Sequence, residues 1–201
     1  MQSSAIFPLF YLPPVSYFSA LKVEDFEFTL EKYEHFPKQT FRNRATISSP
    51  DGTLDLTVPV NKGSKNHTPY KDVKISYDAK WQRLHWLSLQ TCYRSSAYFE
   101  YYEDGLVSFY EKKYDFLFDY NLELLNWFLK QMKLSPSITF TQEFEKEVAS
   151  VDFRNQFDKK TIHQTQTKSY FQVFSDRNEF IPNLSAVDLL FNQGPQTKSY
   201  L

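Results

Sequence analysis

The clearest pattern of apolar and polar positions lies between residues 41 and 60. Leu54, Leu56, Val58 and Val60 alternate with Asp55 and Thr57, the period of a half-buried strand. On the arm before it, Phe41, Asn43, Ala45 and Ile47 share one face, and Arg42, Arg44 and Thr46 share the other. Asp51-Gly52 between the arms signals a hairpin, because glycine accepts the positive φ that a tight turn demands. Upstream, residues 5–12 read as a strand. A short helix follows, opening near Pro14 and running to about Lys22, since proline in a first helical turn lacks only an N–H that has no helical partner. Residues 26–30 alternate as a strand and residues 72–76 as another. Residues 61–70 form a polar loop broken by Gly63 and Pro69.

The middle of the chain changes period. Trp81, Leu84, His85, Ser88, Leu89 and Cys92 recur at helical spacing, behind Asp78 as the cap of a helix starting at Ala79. Residues 99–111 predict a second helix, and residues 115–132, dense in Leu and Phe, a third. Beyond Pro136 come a strand near 138–141, a return to β at 171–174, and a last helix capped by Ser185 and ended by Gly194-Pro195. Strands first and helices in the middle, without regular alternation, predict an α+β fold. At 201 residues the chain suits one compact domain. Its N-terminal strand and hairpin form a mixed or antiparallel sheet against a central cluster of helices. Residues 1–76 are mainly strands, 78–132 helical, and 136–201 a mixed closing segment. The pentapeptide Gln-Thr-Lys-Ser-Tyr occurs at 166–170 and again at 196–200. No longer period accompanies it, so coincidence is the preferred reading.

Composition narrows the function classes. Hydrophobic residues at 41% argue against disorder, and 20 Phe and 14 Tyr against 4 Gly suggest a rigid core with flat amphipathic surfaces. Such rings either pack or present walls suited to sugars and nucleotides. A net charge of −1 argues against a nucleic-acid binder, which needs a basic face. A lone cysteine, Cys92, cannot form an internal disulfide, so a reducing, cytoplasmic setting is expected. No stretch is long and apolar enough to span a bilayer. The apolar start lacks a basic region and is broken by Pro8, Pro13 and Pro14, unlike a signal peptide. His35, His67, His85 and His163 show no metal-ligand spacing, and the glycines make no nucleotide fingerprint; no metal or cofactor is expected. Nothing in the chain sets an oligomeric state.

Several residues could carry chemistry. His85, mid-helix on the inward stripe, is the candidate acid–base group, with a hydrogen-bonded core histidine as the other reading. Arg42 and Arg44 on one strand face, with Lys38 and the loop lysines Lys62 and Lys65, could clamp a carboxylate or phosphate. Alternatively they form a solvated face. Asn43 sits among apolar neighbours, where an unpaired amide is costly. Tyr11, at the end of the first strand, and Tyr93 and Ser95, after the His85 stripe, line a pocket rim or simply pack. Cys92 lies two turns beyond His85, too far for a nucleophile–base bond, and reads as a small core residue.

The runs KQTFRNRATI and LTVPV resemble the WbqC-like protein family of bacteria, closest to its Bacteroidetes branch. So do YLPPVSYF, KWQRLHWLSLQTCYRSSAYFEYY and FIPNLSAVDLLFNQGP, and the likeness covers nearly the whole chain. Family genes often lie in clusters for surface polysaccharide (O-antigen) synthesis. The resemblance supplies that pathway as a context and no reaction; together with the residues above, the leading expectation is a transferase that moves an acyl or aminoacyl group to an amino-sugar or sugar-linked intermediate. Arg42 and Arg44 would hold an anionic sugar-nucleotide, carboxylate or coenzyme ester. Asn43 would orient a carbonyl or fix the hairpin, and His85 would deprotonate the attacking group. Asn183 and Asp188 are family-like as well, and Asp188 could pair with a hairpin arginine. The alternative is a non-catalytic protein that recognises a sugar-nucleotide or scaffolds a partner enzyme. A cleft shared by His85, Arg44 and Asn43 would favour the first; a buried, doubly bonded His85 would favour the second.

Overall fold

The computed structural model describes residues 4–61, 67–158 and 165–201. Lys62, Lys65 and His163 lie outside that set. Three short strands, β1 (Ala5–Phe7), β2 (Glu27–Leu30) and β5 (Ser137–Phe140), form a parallel sheet with β2 in the middle. Helix α1 (Val15–Val23) makes the crossover from β1 to β2, since parallel neighbours cannot be joined by a tight turn. The hairpin is a separate antiparallel sheet of β3 (Arg44–Ser49) and β4 (Gly52–Thr57). Its register runs from Arg44 opposite Thr57 to Ser49 opposite Gly52, and Gly52 takes φ 111° at the turn, as the Asp-Gly pair implies. Helices α2 (Trp81–Tyr93), α3 (Phe99–Glu111), α4 (Leu117–Gln131) and α5 (Ala186–Gln193) complete a mixed α+β domain. Parallel and antiparallel pairing both occur, each in its own sheet.

One large core joins β1, β2, the hairpin and α1 to α5. Aromatic rings build much of it: Phe7 packs on Tyr17, Phe28 and Phe153, and Phe191 of α5 on Tyr93 and Phe99. α4 is buried from Leu117 to Leu129 on one face, and within that face Asn121 donates to the Arg42 carbonyl (2.7 Å) and the Tyr70 hydroxyl (2.6 Å). The helix therefore recognises the hairpin's approach through its backbone as well as through apolar contact.

Several local expectations change. The first strand stops at Phe7; residues 8–14 stay buried but run through Leu12 at φ 40°, a conformation L-residues avoid. Their pairing is reduced to single contacts, the Tyr11 N–H on the Phe41 carbonyl (2.9 Å) and an isolated bridge of Pro14 with Ser185. Residues 72–76 are a one-turn helix at Tyr70–Asp72 followed by isolated bridges at Lys74 and Ile75. Asp78 accepts from the Ser76 hydroxyl (2.9 Å), so it caps nothing and α2 opens at Trp81. Leu84, expected inward, is 60% exposed, because α2 buries the narrower stripe Trp81, His85, Leu89 and Cys92. Residues 171–174 are not a strand. Gln172 instead brackets Ile181, accepting from its N–H and donating to its carbonyl, both at 2.9 Å. Ser185 does cap α5, accepting the Val187 N–H, and Gly194 closes that helix at φ 51°.

Candidate functional site

The strongest polar cluster of the candidate set forms where the base of the hairpin meets α2. The His85 ring is 6% exposed. Its Nδ1 lies 2.9 Å from the Tyr11 hydroxyl, which is 3.0 Å from that of Tyr110 on α3. The ring also bonds the Thr57 backbone at the end of β4. Trp81 lies edge-on one helical turn away at 5.2 Å, and Tyr120 of α4 stacks on Tyr11 at 5.9 Å. The imidazole is thus held from two sides inside a cage of rings.

Electrostatics follow from that enclosure. Burial drives the His85 pKa down to about 4, and the bond to the Thr57 backbone only partly opposes it. Burial likewise holds the Tyr11 phenol well above its usual value, with the phenols of Tyr110 and Tyr120 adding to the effect. The cluster is neutral at physiological pH. A general base works best with a pKa near the operating pH, and this imidazole is well below it.

The two arginines separate. Arg42 belongs to a turn before β3, so strand alternation does not apply to it. Its guanidinium grips Glu34 through Nε (2.5 Å) and Nη2 (2.7 Å), reaches the Arg154 carbonyl (3.2 Å) and lies over Phe10. That is a buried bidentate pair, not a hand open to ligand. Arg154 continues the network to Asp152 and to the fully buried Glu31. Arg44 differs. It stands opposite Thr57, the residue His85 bonds, and its Nε is buried without a hydrogen-bond partner among the described residues. Asn43 beside it clasps the hairpin base: its amide donates to the Val58 carbonyl (3.0 Å), whose N–H in turn donates to the Asn43 carbonyl (2.8 Å). The Asn43 Oδ1 and the Trp81 Nε1 are also buried without partners among the described residues.

The remaining candidates lie elsewhere. Lys38 is exposed on a turn. The Tyr93 hydroxyl accepts the Ser48 N–H of β3 (3.0 Å) and packs on Phe191. Asp188 meets no arginine; it accepts from the Tyr170 hydroxyl (2.7 Å) and the Gln172 amide (3.1 Å), and burial raises its pKa to about 6. Asn183 serves α1 from far along the chain, its Oδ1 accepting the Ser16 N–H (2.8 Å). Among the described residues no group of three or more His, Cys, Asp and Glu is arranged to hold a metal, and no helix is long and apolar enough to cross a membrane. The sequence does not single out Tyr110 and Tyr120, which reach His85 only through Tyr11; Trp81, which meets the His85 ring directly, is hinted at by the helical spacing of the two.

A mixed α+β domain with an aromatic-caged histidine beside a clasped hairpin is thus the class of molecule that the geometry defines. The chain belongs to the WbqC-like protein family, whose model matches residues 10–171. It is also similar to the uncharacterized protein Rv1507c of Mycobacterium tuberculosis (strain ATCC 25618 / H37Rv), at 25% identity over 228 residues, spanning 100% of this chain and 98% of the relative. No solved structure matches.

Proposed function

We propose that this protein is a binding or scaffolding member of its family that holds an anionic ligand, such as a sugar-nucleotide of surface-polysaccharide synthesis, against Arg44. The observation that carries the reading is the Arg44 guanidinium itself. Its neighbour Arg42 is saturated by Glu34, while Arg44 reaches the hairpin base with a buried Nε that no described group satisfies. A planar donor group whose Nε has no partner among the described residues is suited to a carboxylate or phosphate. The caged His85, neutral and bonded on two sides, speaks against an acyl or aminoacyl transferase that uses this imidazole as its base.

The test is a thermal-shift screen with nucleotide-sugars, coenzyme A esters and amino acids, followed by product analysis with any ligand found. A ligand at about 100 times its dissociation constant stabilises by roughly 2.7 kcal/mol. Arg44→Lys should lose most of that shift, because one ammonium cannot reproduce the fork, and His85→Asn should keep it. Group transfer that disappears in His85→Asn would restore the transferase and overturn the proposal.

A further inference from the structure

A groove of about 420 Å³ opens on a different face, between α1 and the two copies of the Gln-Thr-Lys-Ser-Tyr pentapeptide. The copies meet there. Lys168 donates to the Ser199 carbonyl (3.3 Å) and lies 4.5 Å over the Tyr200 ring, while Tyr170 sets its edge against Tyr200 at 5.9 Å. The volume is that of a small-molecule site, and the lining combines an apolar wall of Ala20, Val23 and Leu201 with the hydroxyls of Ser16, Ser19, Thr167 and Ser199.

The hydrogen bonds define what the lining can offer. Ser19 and Ser199 donate their hydroxyl protons to the Val15 and Gln196 carbonyls, at 3.3 and 2.8 Å, and so present lone pairs to the groove. Ser16 and Thr167 do the reverse: their oxygens accept from Asn183, at 2.9 and 3.3 Å, which leaves their protons to donate. Acceptors and donors therefore share one small surface. A ligand that matches it carries several hydroxyls, each able to give and to take a proton. Lys168 adds a cation with two further donor protons; among the described residues no acidic side chain lines the groove, and the main-chain oxygen of Leu201, also in the lining, is taken up by Lys22 (2.8 Å).

From this pattern we propose that the groove binds a pyranose-sized polyol carrying one anionic group, with the hydroxyls of Ser16, Ser19, Thr167 and Ser199 reading the ring and Lys168 pairing with the anion. The site shares no residue with the Arg44 site, and the proposal does not rest on that reading. Isothermal titration of the full chain with glucuronate, glucose 1-phosphate, glucose and inorganic phosphate tests it. One or both anionic sugars should bind at least tenfold more tightly than glucose or phosphate; carboxylate-only or phosphate-only binding would name the anion. Lys168→Ala, at an exposed position, should reduce that affinity tenfold or more, Ser19→Tyr should fill the groove and abolish binding, and Arg44→Lys should leave it unchanged. Phosphate binding as tightly as glucose 1-phosphate, Lys168→Ala and Ser19→Tyr both binding as wild type, or no binding by any probe would overturn the proposal.

Discussion

Arg42 and Glu34 show what a charged residue costs when the interior takes it in. Both are buried, and their two hydrogen bonds are the compensation for lost hydration. Removing one partner leaves a stranded charge, so Arg42→Met and Glu34→Gln should each destabilise by about 3–5 kcal/mol. Chemical denaturation of the double variant should show far less than the sum. Additive losses would mean the pair is not coupled in the way its geometry implies. Arg42 and Arg44 look equivalent in the sequence, two positions apart with the same side chain. What separates them is where β3 begins and a glutamate eight residues upstream, neither of which alternation can register. His85 is a similar case. Its inward placement follows from helical spacing, but the hydroxyl at Nδ1 comes from a residue 74 positions away.

At the scale of elements, chain ends and crossings carry much of the specificity. Gly194 closes α5 at φ 51°, and a Cβ there would fall 2.5 Å from the Tyr98 ring. Gly194→Ala therefore combines left-handed strain with a clash against a large ring, a loss of about 2–4 kcal/mol in thermal or urea unfolding. Helix α1 has no local side-chain cap; Asn183, itself at φ 56°, supplies one to Ser16. Asn183→Ala should cost about 1–2 kcal/mol, typical of an N-cap removed. If either variant unfolds like wild type, the cap or closure in question is dispensable. The α5 boundaries were legible because Ser185 and Gly194 act on their own helix. Those of α2 were not, because Asp78 was drawn to Ser76, and the Leu84 face stays in solvent where periodicity alone would bury it.

Across the whole molecule, two buried groups make stability respond to pH in opposite senses. His85 has a folded pKa of about 4 against an ordinary 6.5, so between those values the unfolded chain takes a proton that the folded one refuses, and stability falls as pH drops. Asp188 has a folded pKa of about 6 against an ordinary 3.8, so over nearly the same window the folded chain keeps a proton that the unfolded one releases, and stability rises as pH drops. Each contributes roughly 3 kcal/mol at most, at about 1.4 kcal/mol per pKa unit, and they largely offset one another. Urea unfolding at pH 4, 5, 6 and 7 separates them. Relative to wild type, Asp188→Asn should lose an additional few kcal/mol on acidification and His85→Phe should lose less or gain. Parallel profiles for all three proteins would refute this assignment.

What the sequence determined by itself is local: the Asp-Gly hairpin, four of the five helices to within a residue or two, the α5 cap and closure, and the α+β class. These depend on spacings of two to four residues and on backbone preferences that each stretch carries within itself. The tertiary structure alone decided that β1, β2 and β5 run parallel, that Arg42 is engaged while Arg44 is not, that His85 is caged by Tyr11, and that the two pentapeptides form one groove. Each of those rests on burial and on partners brought together from distant parts of the chain, and desolvation, which sets what a charge or an imidazole can do, exists only once the chain has closed around it.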